Sequence, residues 1–364
     1  DQVLTTNGSG VLSWATASGG GASSLNDLSD VLIETNSIYI GTDPSGTTST
    51  AEYNVGVGTT ALDAITTGDR NVAIGYDALT AVTTGGGNIA IGAEAGELIV
   101  TGSNNILLGS QVAIKLTGSS NIGIGYRALY NNASTTHNIA IGSQALLTSE
   151  NNIRNIAIGS DALKSHIGAG STGDNVAIGY QAGDKITGGV QNVILGTGAG
   201  SSGTNDLTTG DNNIVIGYIA AASSATIDNE ITLGNSAINA LRCADTTISS
   251  LSDRRDKTDV VDSSYGLDFI NTLKPRQFTW ETREKVPSKD GKTRVGFIAQ
   301  ELQEAMPNNE NEILDLVYES NPDRLEAKYG NLVPILVKAV QELADKVIFL
   351  EKQLENKQSS TNKN

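Results

Sequence analysis

Hydrophobic and polar positions repeat along the first two thirds of the chain with a period of about 17 residues. The pattern Asn-(Ile/Val)-x-(Ile/Val/Leu)-Gly recurs, with degenerate copies at Ser37 and Glu230. The regular copies begin at Asn54, Asn71, Asn88, Asn105, Asn121, Asn138, Asn155, Asn175, Asn192 and Asn213. A repeat this short cannot be a domain, so the copies are expected to stack into one continuous solenoid.

Each copy has the features of one coil of a parallel β-solenoid. Its two β-branched residues, such as Ile89 and Ile91, lie two positions apart and face the same side of a strand. The closing glycine, here Gly92, suits a corner with a positive φ or close backbone approach. With coils stacked at about 4.8 Å, we expect a dry inner column of isoleucines and a hydrogen-bonded asparagine ladder along an edge. So small a coil buries little surface alone, which favours association of several chains.

After residue 251 the pattern becomes mixed α/β. Apolar periodicity predicts helices at 265–273 and 299–306, and alternation predicts strands at 277–281, 295–298 and 313–317. A long helix is predicted from Leu332. Its apolar residues are spaced alternately by four and three, as in a coiled-coil seam. These seam residues are Leu336, Val340, Leu343, Val347, Leu350 and Leu354.

Composition changes at the same boundary. Residues 1–251 hold 37 of the 41 glycines but only 27 of the 64 charged residues, which argues against an ordinary globular core there. The net charge of −16 disfavours nucleic acid as a partner, because phosphate backbones would be repelled. No run of about 18 apolar residues occurs, so membrane insertion is not expected.

The segments N-V-A-I-G-Y-D-A-L and N-I-A-I-G-S-Q-A-L resemble the repeats of trimeric adhesin heads and phage fibre shafts. The similarity covers about residues 37–235. It implies a parallel β-roll in which three chains lie side by side. The opening D-Q-V-L-T-T-N-G-S-G-V-L-S-W-A is similar to small linker modules of phage fibre proteins.

Three motifs follow in order in the C-terminal part: S-D-R-R-D-K from Ser252, G-F-I-A-Q-E-L from Gly296 and Y-G-N-L-V-P-I-L-V-K-A-V-Q-E-L from Tyr329. Together they resemble the endosialidase-type intramolecular chaperone family over about residues 252–356. The resemblance implies a domain that trimerises nascent phage tail spikes or fibres and then releases itself by self-cleavage.

The resemblance assigns catalysis to Ser252 and Lys257. A serine hydroxyl is a weak nucleophile that needs an adjacent base. A lysine can take its proton only in the neutral form, which burial or nearby positive charge from Arg254 and Arg255 would favour. We expect Ser252 to attack the carbonyl between Leu251 and Ser252, giving an ester that water hydrolyses. Cleavage on the other side of Ser252, or a domain that does not cleave, are the alternatives.

Other candidate residues favour structural roles. Gln300 and Glu301 could position the cleavage loop, although a helix-capping role is preferred. His137 and His166 lie in shaft turns without a second ligand at metal spacing, so neither a metal nor another cofactor is expected.

Two further sets of side chains follow the repeat glycines. The tyrosines could form a sugar-binding stripe, but packing between coils or chains is preferred; they are Tyr76, Tyr126, Tyr180 and Tyr218. The carboxylates are expected to be a solvated face rather than a glycosidase pair; they are Asp77, Glu94 and Asp161.

The predicted fold is a mostly β N-terminal parallel β-roll, followed by a small α+β domain that ends in a long coiled-coil helix. We expect a linker module at 1–36, a repeat shaft at 37–250, a chaperone and peptidase domain at 251–331, a coiled-coil helix at 332–357 and a disordered tail at 358–364. The expected function is a homotrimeric phage tail fibre or spike component, made in the host cytoplasm and built into the virion. Its expected partners are itself and a host receptor or glycan.

Three alternatives remain open. A bacterial trimeric surface adhesin would need a C-terminal membrane anchor, whereas residues 358–364 are polar. A polysaccharide-degrading tail spike would need a glycosidase domain upstream of Asp1. Membrane-bound transcription factors that share the self-cleaving domain are disfavoured by the acidic shaft.

Overall fold

The computed structural model describes residues 2–6, 12–16, 31–34, 36–42, 44–149, 152–167, 173–201, 203, 205–238, 240–242, 244, 252–281, 289–306, 311–323 and 325–361. The chain divides into two compact units, Asp1–Leu241 and Arg242–Asn364. Leu251, at the expected cleavage site, lies outside the described residues, as does most of the expected linker module. Within that module, β1 (Gln2–Thr6) and β2 (Leu12–Thr16) form an antiparallel pair.

In the first unit, short strands stack into one long sheet. Among the described residues this sheet has 13 strands in sequence order; β3 pairs antiparallel with β4, and every later neighbour is parallel. The strands are β3 (Val31–Glu34), β4 (Ser37–Ile40), β5 (Val55–Val57), β6 (Val72–Ile74), β7 (Ile89–Ile91), β8 (Ile106–Leu108), β9 (Ile122–Ile124), β10 (Ile139–Ile141), β11 (Ile156–Ile158), β12 (Val176–Ile178), β13 (Val193–Leu195), β14 (Ile214–Ile216) and β15 (Ile231–Leu233). The predicted parallel β-solenoid is confirmed, with about 11 turns.

A glycine closes each regular repeat strand, where the backbones of successive coils approach closely. Gly75 has a φ of 138°. A Cβ at this position would lie 2.5 Å from the carbonyl oxygen of Gly92 in the next coil. Both the backbone angle and the contact exclude a side chain, so the corner requires glycine, as the pattern predicted.

The repeat strands turn their β-branched residues outward, so the predicted inner column of isoleucines is wrong. In β7, Ala90 is fully buried, whereas Ile89 and Ile91 are 37% and 40% exposed. The narrow coil favours a small residue in the middle of the strand, although Leu107 and Ile194 are also fully buried at this position. At Gly123, for example, a Cβ would lie 2.8 Å from Cγ2 of Val112. The interior is therefore packed by middle residues and by aliphatic side chains from the turns.

The asparagines form a buried ladder along one corner of the solenoid, which confirms that prediction. The backbone N–H of Asn105 donates to Oδ1 of Asn88 at 3.0 Å, and that of Asn121 donates to Oδ1 of Asn105 at 2.9 Å. The Nδ2 of Asn105 also donates to the carbonyl of Gly118 at 3.1 Å. Each asparagine thus ties its coil to both neighbours and satisfies backbone groups that would otherwise be buried without partners.

The two degenerate repeats hold the ends of this ladder. The backbone N–H of Asn54 donates to Oγ of Ser37 at 2.9 Å. At the other end, the backbone N–H of Glu230 donates to Oδ1 of Asn213 at 2.9 Å. The degenerate copies therefore continue the hydrogen-bond pattern with different side chains.

The second unit is a small α+β domain. Its strands are β16 (Arg276–Glu281), β17 (Lys289–Gly296), β18 (Val317–Tyr318) and β19 (Glu326–Ala327), paired antiparallel as β16–β17 and β18–β19. Its helices are α1 (Leu267–Ile270), α2 (Ala299–Glu304), α3 (Asn311–Leu314) and α4 (Leu332–Thr361), with 3-10 turns at Arg254–Asp256 and Tyr329–Asn331. The α+β class is as predicted, and α4 extends into the segment 358–364 that was expected to be disordered.

The strand predicted at 313–317 is wrong, because this segment begins inside α3, which ends at Leu314, and only Val317 belongs to a strand. The side chain of Asn311 explains the difference. Its Oδ1 accepts the backbone N–H groups of Leu316 and Val317, each at 3.1 Å, and its Nδ2 donates to the carbonyl of Val317. These local bonds offer the backbone an alternative to strand pairing.

The helices of this unit pack around a small apolar core. One face of α4 contributes Leu332 and Ile335, which are buried together with Leu302 of α2 and Leu314 of α3. The helix α1 is attached to α4 by the carboxylate of Glu342, which accepts the backbone N–H of Leu267 at 2.7 Å. The N-terminal half of α4 is therefore part of the domain core.

Candidate active site

The side chains of Ser252 and Lys257 meet at the start of the second unit. The Nζ of Lys257 donates a hydrogen bond to Oγ of Ser252 at 2.5 Å. The 3-10 turn Arg254–Asp256 brings these two residues, five apart in sequence, onto the same side. The pair has the composition required for nucleophilic attack by a serine with lysine as base.

Two arginines hold the turn between the paired residues. Asp253 caps the turn by accepting the backbone N–H of Arg255 at 2.9 Å, and its carboxylate also binds the Arg255 guanidinium at 2.6 Å. These bonds hold the pKa of Asp253 below its ordinary value. Arg254 donates from Nη1 to the carbonyl of Lys257 at 3.1 Å. Both arginines thus bind groups of the turn, and the charge of Arg255 is offset by Asp253.

Both members of the pair are exposed in the single chain. A lysine can act as a base only in its neutral form, which a site shielded from water favours. In a single chain, the serine hydroxyl and the lysine amine are therefore in contact, but they are not shielded from water.

The neighbouring elements give Glu301 a structural role. Arg276 of β16 donates from Nε to its carboxylate at 2.8 Å, which lowers the pKa of Glu301. Just after β17, the hydroxyl of Tyr329 accepts the backbone N–H of Phe297 at 3.1 Å. The carboxylate of Glu301 thus binds β16, no side-chain hydrogen bond caps the N-terminus of α2, and Gln300 is exposed.

The three carboxylates that follow repeat glycines bind neighbouring polar groups. Glu94 accepts from Nε2 of Gln111 at 2.9 Å, and Asp161 pairs with Lys164 at 2.9 Å. Asp77 is bonded to the hydroxyl of Thr60. Hydrogen bonding to Asp77 also raises the pKa of Tyr76.

The tyrosines after the repeat glycines are exposed. Among them, the ring of Tyr126 lies 5.0 Å from the guanidinium of Arg127. Their packing between chains remains a prediction.

The two histidines have different surroundings. His137 is exposed in a turn, whereas His166 is completely buried and its pKa is lowered to about 4 by burial. Within the described ranges, no cluster of three or more His, Cys, Asp or Glu side chains is arranged to hold a metal ion. Across those same ranges, no helix combines the length and apolar character needed to cross a membrane.

Residues 252–309 match a family described as chaperone of endosialidase. The early part of the second unit is therefore similar to this family over these residues. The match begins at Ser252 and includes both members of the Ser–Lys pair and the Gly296 motif, while the Tyr329 motif lies beyond it. Comparisons with curated proteins and with solved structures gave no significant match. In this chain, the segment that matches the family model therefore follows a β-solenoid.

Sequence reasoning missed a polar cluster inside the solenoid. Three successive repeats carry Asn132, Ser149 and His166 at one buried position. An alignment of the repeats against each other contains the signal, since five of the other seven regular coils place aliphatic residues there.

Proposed function

We propose that the chain is a homotrimeric fibre or spike component of a phage tail, and that its C-terminal domain drives assembly and then cleaves itself at Ser252. The observation that carries this proposal is the Lys257–Ser252 hydrogen bond at the start of a chaperone-of-endosialidase domain. Cleavage would occur once in each chain, so no turnover is expected.

The outer face of the solenoid supports association of several copies. Each regular repeat strand presents two aliphatic side chains to solvent, in register with those of the next coil, as in Ile89 opposite Ile106. These side chains line up in uncharged columns across successive strands, and much of their aliphatic surface is exposed. Packing these faces together in a trimer would remove that surface from water at about 25 cal/mol per Å².

Helix α4 supports the same assembly. Leu343 and Val347 of the predicted seam are about half exposed in the single chain, as are the other seam residues. The neighbouring face, with Leu332 and Ile335, is already used in the core of its own domain. A parallel coiled coil of three chains would cover the seam and hold the chain ends together.

A coiled coil that holds the three C-termini together would prevent the repeats from pairing out of register. Coils with a period near 17 residues can pair out of register with little loss of hydrogen bonds, because each coil resembles the next. Misregistered chains expose unpaired strands and aggregate. Fixing the three C-termini before the coils wind would select one register, and later cleavage would make assembly effectively irreversible.

In the proposed reaction, Oγ of Ser252 attacks the carbonyl carbon of Leu251 while Nζ of neutral Lys257 takes the hydroxyl proton. The peptide C–N bond breaks, and the proton passes to the departing nitrogen of Ser252. The resulting ester between Leu251 and Oγ is hydrolysed by water. The products are a carboxylate at Leu251 and a free amino group at Ser252.

Because the pair is exposed in one chain, the proposed reaction requires a cover that excludes water and favours neutral lysine. A neighbouring chain of the trimer is the proposed cover. This would couple cleavage to assembly. We further propose that the released shaft is part of the virion and contacts a receptor or glycan on the host surface.

The decisive experiment is intact-mass and native mass spectrometry of the wild type beside Ser252→Ala, Lys257→Ala and the control Ser264→Ala, which changes an exposed serine of the same domain. We expect trimers of all four, fragments ending at Leu251 and beginning at Ser252 in the wild type and control, and intact chains for the two dyad variants. An uncut wild-type trimer would exclude the peptidase but keep the assembly role. An uncut monomer would exclude both.

A further inference from the structure

Three consecutive coils replace an apolar core position with polar side chains. Eleven residues after the ladder asparagine, other coils bury aliphatic residues: Ile65, Val82, Ile99, Leu116 and Ile186. At the same position, the three coils between Leu116 and Ile186 hold Asn132, Ser149 and His166. Each of these has no exposed surface. The change affects a continuous stretch of the interior.

Two more polar side chains lie beside this stretch. Fourteen residues after the ladder asparagine, Thr135 and Asn152 replace a glycine found in several other coils, and both are completely buried. In a regular coil these positions are in contact, since a Cβ at Gly68 would lie 3.0 Å from Cδ1 of Ile65. Thr135 and Asn152 therefore place their side chains against the polar residues of the same coils.

The coils that carry these residues are direct neighbours. The backbone N–H of Asn131 donates to the carbonyl of Leu147 at 2.9 Å, and that of Thr148 donates to the carbonyl of Lys164 at 3.2 Å. Adjacent layers are therefore separated by about 4.8 Å, the spacing of hydrogen-bonded strands. Side-chain atoms in successive layers are too far apart for direct bonds unless one reaches towards the other, but a bridging molecule fits this spacing.

Six polar atoms of the group have no hydrogen-bond partner among the described residues. They are Oδ1 of Asn132, Oγ1 of Thr135, Oγ of Ser149, Nδ2 and Oδ1 of Asn152, and Nδ1 of His166. Buried polar groups are nearly always bonded, because burying one without a partner is costly. Six such atoms in three adjacent layers therefore point to a bound ligand.

We propose that these five side chains form an internal site that binds ordered water molecules. The unpartnered atoms include a donor, Nδ2 of Asn152, and acceptors, Oδ1 of Asn132 and Asn152, besides hydroxyls that can do both. A ligand must therefore donate and accept, which excludes a simple ion. None of the five carries a full charge when His166 is neutral, so a buried ion would also lack a counter-charge. At about three hydrogen bonds per buried water, six atoms require about two waters in each chain.

A crystal structure of the full-length chain at about 1.5 Å resolution tests the site. We expect about two ordered peaks per chain, each within about 3.2 Å of at least two of the six atoms. Direct pairing of the six atoms with each other, without such peaks, would overturn the proposal. A peak at the shorter distances of a coordinated metal would overturn it in favour of an ion.

A variant built from the neighbouring coils supplies the control. Asn132→Leu, Ser149→Val and His166→Ile together restore side chains that other coils carry at this position. The peaks should disappear in this variant while the asparagine ladder stays intact. Peaks that persist there would show that the waters belong to another site, which contradicts the proposal, and the wild-type density decides the question if the variant does not fold.

Discussion

Lowering the pH from 7 to 4 should destabilise the shaft through His166. This side chain is completely buried, and burial lowers its pKa from 6.5 to about 4. In the unfolded chain the imidazole takes up a proton near pH 6.5, whereas in the folded shaft it stays neutral until about pH 4. Between these values the unfolded state binds more protons, so stability falls as the pH falls.

The size of the effect follows from the difference in pKa. The separation between 6.5 and about 4, at 1.36 kcal/mol for each unit, corresponds to about 3 kcal/mol per chain. The neutral, buried imidazole makes its full contribution to the free energy of unfolding above pH 6.5, and this contribution is lost by about pH 4. Carboxylates titrate in the same interval, so the wild type alone cannot isolate the histidine.

The assay is denaturant unfolding at several pH values between 4 and 7, in the Ser252→Ala background so that all chains have the same length. The wild-type histidine is compared with His166→Gln, which cannot gain a proton, and with His137→Gln, which changes an exposed histidine. The difference between wild type and His166→Gln should shift by about 3 kcal/mol per chain in favour of the variant on acidification. The His137→Gln chain should follow the wild type.

Parallel stability curves for wild type and His166→Gln would refute the argument. They would mean that the imidazole is protonated equally in both states, and hence that it is solvated in the folded shaft. A His137→Gln chain that loses no more stability on acidification than His166→Gln would refute it equally.

Two further predictions concern the ladder and the helix. Asn105→Ala removes the acceptor of the Asn121 N–H and should destabilise the shaft by about 1–3 kcal/mol, measured by denaturant unfolding; an unchanged midpoint would contradict a structural ladder. Leu343→Asp with Leu350→Asp places charges in the seam of α4 and should abolish both the trimer in native mass spectrometry and cleavage at Ser252. Cleavage by a monomeric double variant would show that assembly is not required.

Much of the architecture could be read from spacing alone. The 17-residue period fixed the position of every repeat strand because successive coils must place equivalent residues opposite each other to complete the sheet. The invariant spacing of asparagine and glycine predicted the ladder and the corner for the same reason. The Ser252–Lys257 pair came from a motif and a family resemblance, and a single 3-10 turn then brought the two side chains into contact.

Local pattern could not decide which side of each strand faces inward. A strand of three residues with isoleucine, alanine and isoleucine is consistent with either face, and hydrophobicity favoured the wrong one. The direction in which the chain turns at Gly75 and its equivalents places the small middle residue inside, and the aliphatic side chains of the turns then fill the narrow interior. The isoleucines are left for contacts that one chain cannot make.

The sequence by itself therefore determined the periodic elements and the candidate Ser–Lys pair, because these depend on spacing along the chain. The tertiary structure alone decided the outward isoleucine columns, the helix at Asn311–Leu314 and the buried group around His166. These features depend on what surrounds a residue after the coils have stacked. Burial and hydrogen-bond satisfaction are properties of that packed environment, and no local pattern contains them.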